Sequence, residues 1–201
     1  EIDEALALVG YQRVQLDGTS ASLPAGARIG LGGIGKGYAA DHVAQLLRDA
    51  GIKQAVITLG GNIYVLGEKE DGVPWTVGIT DPDNPGDYFA TLSVSDTSIV
   101  TSGDYERYFE QDGKRYCHIF DPKTGWPAET DLRSVTVVST CSTEADAYTT
   151  ALFVMGYDRA RAFCEEHDIE AIFVRNDQTV YVTDGLRDKF SLTSSEYTYE
   201  E

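Results

Sequence analysis

At 201 residues the chain is long enough for one substantial core or two small domains. Its 42% hydrophobic and 24% charged residues are ordinary for a globular protein, but its formal net charge of −17 is not. That charge excludes a general nucleic-acid binder and a protein that docks on anionic lipid, and an anionic small ligand would need a local lysine, arginine or metal ion. No stretch is long or apolar enough to span a membrane. The acidic start, Glu1 to Gly10, lacks the basic region of a signal peptide. The three cysteines, Cys117, Cys141 and Cys164, are far apart with no CxxC, so free thiols are expected in preference to a zinc site or a disulfide.

In chain order, residues 3–9 are predicted to form a short helix with Asp3 as cap and Gly10 as stop. Tyr11 to Leu16 alternates as a strand does, and Asp17-Gly18 is a turn signal. From Tyr38, apolar residues at 39, 40, 43, 46, 47 and 50 follow one helical face, and Gly51 suits the stop. Gln54 to Leu59 predicts a buried strand running into Gly60-Gly61-Asn62, with Ile63 to Leu66 as its continuation. Further strands are expected at 75–79, 90–94 and 98–101. The segment Asp81 to Asp87 resembles a calcium loop only faintly, because Pro85 and Leu92 replace oxygen ligands, and a surface turn is expected there.

Arg107–Glu110 and Arg115–Phe120 flank Asp112-Gly113, a hairpin signal. It leads into a compact turn from Asp121 to Pro127, then a strand at 134–139. Ser142 is the expected cap of a helix running to Met155, and Asp158 that of another running to about His167. Segments 169–175 and 179–183 form a closing hairpin, and the polar tail from Ser191 is expected to be loose. The mixed order of elements implies an α+β fold, not a doubly wound sheet.

Gly30 to Gly37 packs five glycines and Lys36 into eight residues just before a helix. Exposed N–H groups and the positive end of the helix dipole invite an anion there, most plausibly a phosphate. Gly30-x-Gly32-x-x-Gly35 fits the dinucleotide fingerprint, but Arg28-Ile29 is a poor strand and no carboxylate ends the next one. Gly30 to Lys36 also fits a P-loop until Gly37 takes the place of the hydroxyl that binds Mg²⁺. A third reading is that the glycines only permit close packing.

Asp146 and Thr150, four apart on a helix, offer hard oxygen ligands on one face, and Thr149 beside them could add its carbonyl. Alternatively, Asp146 complements the helix dipole and Thr150 bonds back into the helix. His118 leaves a hairpin just before Asp121-Pro122, as a functional group or as a half-buried strand histidine. Ser102, Asp104 and Tyr105 line a ring-binding pocket or belong to an ordinary turn and strand.

Five motifs in this order resemble the ApbE family, the bacterial FAD:protein FMN transferases: Leu31 to Asp41, Gly60 to Ile63, Thr101 to Arg107, His118 to Gly125, and Ala145 to Ala151. The resemblance covers residues 1 to about 185. It implies a T-fold-like α+β architecture formed by residues 1–201 as one transferase domain, and a Mg²⁺-dependent transfer of FMN from FAD to a threonine or serine of an acceptor flavoprotein, with AMP released. Hydrolysis of FAD is implied as a possible further activity, and a non-catalytic FAD-binding module is the alternative. The implied metal ligands are the Gly35 carbonyl, Asp146, Thr149 and Thr150. Flavin contacts fall on or near Gly32, Tyr38 and Phe120, with Lys36 and Ser102 as further FAD-binding candidates. His118 falls on the family's functional histidine, to take a proton or to hold phosphate.

Gly30 stands where the family usually has Asp. Relatives also carry an additional N-terminal portion that supplies part of the FAD site. The chain is therefore expected to be a fragment, a domain of a larger chain or a shortened variant. The resemblance further implies an extracytoplasmic location.

Overall fold

A computed structural model describes residues 1–200. In chain order the elements are α1 (Ile2–Leu6), β1 (Gln15–Asp17), β2 (Ser20–Ser22), α2 (Gly35–Asp49), β3 (Ala55–Leu59), β4 (Asn62–Leu66), β5 (Trp75–Thr80), β6 (Tyr88–Val94) and β7 (Thr97–Gly103). There follow β8 (Tyr108–Gln111), β9 (Lys114–Cys117), β10 (Leu132–Ser139), α3 (Ser142–Met155), α4 (Tyr157–His167), β11 (Glu170–Arg175), β12 (Thr179–Val182), β13 (Phe190–Leu192) and β14 (Thr198–Glu200).

A seven-stranded sheet in the order β14-β12-β11-β10-β7-β4-β3 forms the middle layer. All its pairings are antiparallel except β12 with β14. The α+β class is thus what the mixed element order predicted. Strand alternation shows how both faces are covered. On β11, Ala171 and Phe173 join Leu152 and Phe153 of α3 and Cys164 of α4, while Ile172 and Val174 join Phe89 and Leu92 of the smaller sheet β13-β6-β5. Burial on both sides explains why β11 is apolar at four successive positions, Ala171 to Val174. A third cluster seats Ala40 and Ala44 of α2 on Ile57 and Tyr64.

Most expected elements are present, and the Asp112-Gly113 turn has positive φ at both residues, 53° and 74°. Six expectations need correction. Helix α1 starts before Asp3, which lies inside it and caps nothing, and it ends at Leu6, short of Gly10; β3 is an edge strand with only Ile57 buried. Tyr11–Arg13 is a 3₁₀ turn, not a strand, and the strand that follows pairs only with β2 and is exposed throughout. Its alternation has no sheet to lie on. The tail from Ser191 is ordered: β13 and β14 pair through the main chain, and the buried Tyr197 packs against Phe89 at 4.7 Å between ring centroids. Polar side chains do not prevent an edge strand from pairing.

Neither Ser142 nor Asp158 caps its helix. Ser142 is the first residue of α3, with its hydroxyl on Ser98 and Asn62, and α4 begins from Gly156 with the Tyr157 N–H on Asp131. The Asp81–Asp87 segment is a turn, held by the Asp83 and Asn84 N–H groups on the Asp81 carboxylate.

All three cysteines are free thiols. Burial pushes the Cys164 thiol up to about 12 and raises that of Cys117. A thiol reagent at about pH 8 should therefore modify only Cys141 in the native protein, and all three cysteines after unfolding. Fast native labelling of Cys164, read by mass spectrometry, would contradict this packing.

Candidate functional site

The two halves of the site meet where the first turns of α2 and α3 cross. The Gly37 N–H donates to Asp146 Oδ2 at 2.8 Å. A Cβ on Gly37 would lie 2.2 Å from the Ser142 carbonyl oxygen and 2.8 Å from Asp146 Cβ, so only glycine permits this approach. At Gly30, Gly32, Gly33 and Gly35, by contrast, a Cβ would meet nothing within 4 Å. One glycine therefore serves packing, and the others leave open backbone along the mouth of the site.

Asp146 is 3% exposed. Among the described residues its carboxylate has no ion pair, and its one side-chain hydrogen bond is that from Gly37. A carboxylate this buried without a cation is costly unless something positive joins it. Around it stand hydroxyls. Thr149 Oγ1 donates to the Asp146 carbonyl at 3.0 Å and accepts from Ser102 Oγ at 2.9 Å, and Ser102 Oγ lies 3.4 Å from Thr150 Oγ1. The Thr149 hydroxyl is thus fixed inside the protein, whereas that of Thr150 reaches a cavity.

That cavity, about 600 Å³, runs along α3. Ala147, Thr150, Ala151 and Val154, at helical spacing, form its floor. Gly30, Gly33 and Ile34 make one wall, Phe120 to Lys123 another, and Arg159 of α4 closes the far end. Of the residues expected to contact a flavin, Phe120 lines the cavity and Gly32 lies in the loop between two lining glycines. Tyr38 does not: it is 57% exposed on the outer side of α2, edge-on to His42 at 4.3 Å. Lys36 is half-buried and carries no ion pair among the described residues.

His118 is exposed, and its N–H donates to the Arg107 carbonyl at 3.0 Å. His118 lies in the bend that follows β9, between the buried Cys117 and Ile119, and it is not among the residues that line the cavity. Asp104 lies between Arg115 and Arg133, 3.3 Å from each. Burial nevertheless raises its pKa above the usual carboxylate value, against the pull of the two guanidiniums. It does not line the cavity along α3, and it lines a separate one with Arg115 and Leu132.

Lys123 was visible only as a member of the His118 to Gly125 motif, and Met155 and Arg159 carried no signal in the sequence, because they reach the cavity from the α3–α4 junction. Asp41 was visible only as the last residue of the glycine motif. In the structure it accepts the Ser142 and Thr143 N–H groups.

Among the described residues, no group of three or more His, Cys, Asp or Glu side chains could hold a metal ion. Among the described residues no helix is long and apolar enough to cross a membrane. The site is therefore one buried carboxylate among hydroxyls, set against a glycine-rich helix start and opening onto an apolar slot.

The chain belongs to the ApbE family, whose model matches residues 1–173. A Klebsiella pneumoniae (strain 342) protein named FAD:protein FMN transferase is 42% identical over 202 residues, covering 98% of this chain and 62% of its own. A Treponema pallidum protein of the same name is 40% identical, covering 99% and 60%. The crystal structure of the ApbE protein from Thermotoga maritima superposes with a TM-score of 0.86 at 34% identity, covering 94% of this chain and 62% of that one. The chain thus spans about six-tenths of the length of these relatives.

Proposed function

We propose that this chain carries the metal-binding half of an FAD:protein FMN transferase, which moves FMN from FAD to a threonine or serine hydroxyl of an acceptor flavoprotein and releases AMP. The observation that carries the reading is Asp146: a buried carboxylate with no cationic partner among the described residues, one helical turn before Thr150, which lines an apolar slot. Oxygen donors of this kind suit Mg²⁺. Asp146 and the Thr150 hydroxyl would hold it, with Gly35 and Thr149 as adjoining oxygen donors. Bound there, Mg²⁺ would supply charge neutralisation for the pyrophosphate.

The protein's own groups have separate tasks. The Ile34 and Gly35 N–H groups donate to the Leu31 carbonyl, so open backbone at Gly32 and Gly33 and the start of α2 hold phosphate oxygens, and Lys36 adds positive charge. The slot of Ile34, Phe120 and Ala151 takes a planar ring and excludes water from one side of it. His118 accepts the proton of the acceptor hydroxyl as the new P–O bond forms and the pyrophosphate bond to AMP breaks. An extracytoplasmic location belongs to the same proposal, and it rests on the resemblance alone.

The test is incubation with FAD and Mg²⁺, with and without an acceptor flavoprotein, followed by AMP release and by flavin fluorescence of the denatured acceptor. AMP together with labelled acceptor supports the transferase, and AMP alone supports FAD hydrolysis. FAD binding with neither product supports a binding module. His118→Ala should lower transfer by about a hundredfold while leaving FAD affinity within about twofold.

A further inference from the structure

Two helices in this protein hold each other's first turns. Gly37 and Asp41 stand four apart on α2, and Ser142 and Asp146 four apart on α3, so each pair lies on one face of its helix. The faces meet. Gly37 of α2 donates its N–H to Asp146 Oδ2 at 2.8 Å. In return Asp41 Oδ1 accepts the Ser142 N–H at 2.8 Å, and its Oδ2 accepts the Thr143 N–H at 2.9 Å and the Thr143 hydroxyl at 2.6 Å. The Cys141 thiol is 3.7 Å from the same oxygen. Each carboxylate satisfies N–H groups that the other helix leaves unpaired at its start.

The two carboxylates differ in what remains to them. Asp41 is engaged at both oxygens. Asp146 is engaged only at Oδ2 among the described residues, which leaves Oδ1 as the oxygen that can take a ligand.

We propose that Asp41 is a positioning residue for the Asp146 site. By clamping the start of α3 from across the crossing, it sets the rotation of that first turn. It thereby keeps Asp146 Oδ2 on Gly37 and Oδ1 presented to a cation beside Thr150. This inference rests on the reading of Asp146 as the cation ligand. Carboxylates one step removed from a metal commonly control the geometry of the ligand they support, and their loss weakens metal binding by about tenfold or more.

The experiment is titration of the full chain with Mn²⁺ in the presence of FAD, following the paramagnetic signal of the free ion, alongside thermal melts. Asp41→Ala should bind Mn²⁺ about tenfold more weakly in protein that is demonstrably folded. Asp41→Asn, which keeps one of the two acceptor oxygens, should recover part of that loss. A residue that merely caps the helix would lower the melting temperature and leave the affinity of the folded protein unchanged, and that result overturns the proposal.

Should Asp41→Ala fail to fold, Thr143→Val removes the hydroxyl's hydrogen bond to Asp41 and keeps those from the Ser142 and Thr143 N–H groups. It should still weaken Mn²⁺ binding, by less, and unchanged affinity there also overturns the proposal. Asp146→Asn separates the two levels. If it binds Mn²⁺ as tightly as the parent, both readings fall. If it loses the ion while Asp41→Ala does not, only the role of Asp41 falls.

Discussion

Replacing Asp146 with asparagine is expected to lower FAD turnover by about a thousandfold while raising the melting temperature of the metal-free protein. Asparagine is nearly isosteric, and its carbonyl oxygen can still accept the Gly37 N–H, so the crossing of α2 and α3 survives. What disappears is a negative charge that is 3% exposed and has no cationic partner among the described residues. In the absence of a bound cation that charge is a liability, because neither water nor an arginine offsets its desolvation. Removing it relieves the cost and removes the ligand together.

A second observable follows by linkage. Mg²⁺ should raise the melting temperature of the parent chain, because it binds the folded state, and it should not raise that of Asp146→Asn. Equal stabilisation of both by Mg²⁺, or full turnover by the variant, would remove Asp146 from the site. Thr150→Val should reduce turnover less, because a neutral hydroxyl contributes less to a cation than a carboxylate does.

The parts of this site that could be read from the sequence are those written in local signals. The glycine-rich start of α2, the Asp112-Gly113 turn and the helical spacing of Asp146 and Thr150 each lie within a few residues. The resemblance to a known family then joined them across more than a hundred positions. What could not be read is the pairing that holds them. Ser142 looked like the cap of its own helix because serine before a helix commonly is. The structure gives that task to Asp41, 101 residues away, and turns the Ser142 hydroxyl inward to Ser98 and Asn62. Tyr38 was placed near the flavin by the resemblance alone, and its ring is exposed on α2, edge-on to His42. The ordered tail was missed because main-chain pairing of β13 and β14 leaves little mark on side-chain composition.

The glycine stretch allows a sharper division of labour than its composition suggested, and a glycine-to-alanine series should expose it. Gly37→Ala is expected to destabilise the chain by about 3 kcal/mol, read as a shift in the urea midpoint with little change in slope. The added methyl would sit 2.2 Å from the Ser142 carbonyl oxygen and 2.6 Å from its carbonyl carbon. Those are backbone atoms in the first turn of α3, and they cannot swing aside as the end of a side chain could. Relief requires α2 and α3 to separate, which stretches the Gly37–Asp146 hydrogen bond and the three hydrogen bonds on Asp41 together. Stability and turnover should therefore fall in step. Gly33→Ala makes the opposite prediction. Its methyl meets no atom within 4 Å, so stability should stay within about 0.5 kcal/mol of the parent. Because Gly33 lines the cavity, FAD affinity should fall instead. If Gly33→Ala destabilised the fold as much as Gly37→Ala, the open backbone along the mouth would be serving packing after all.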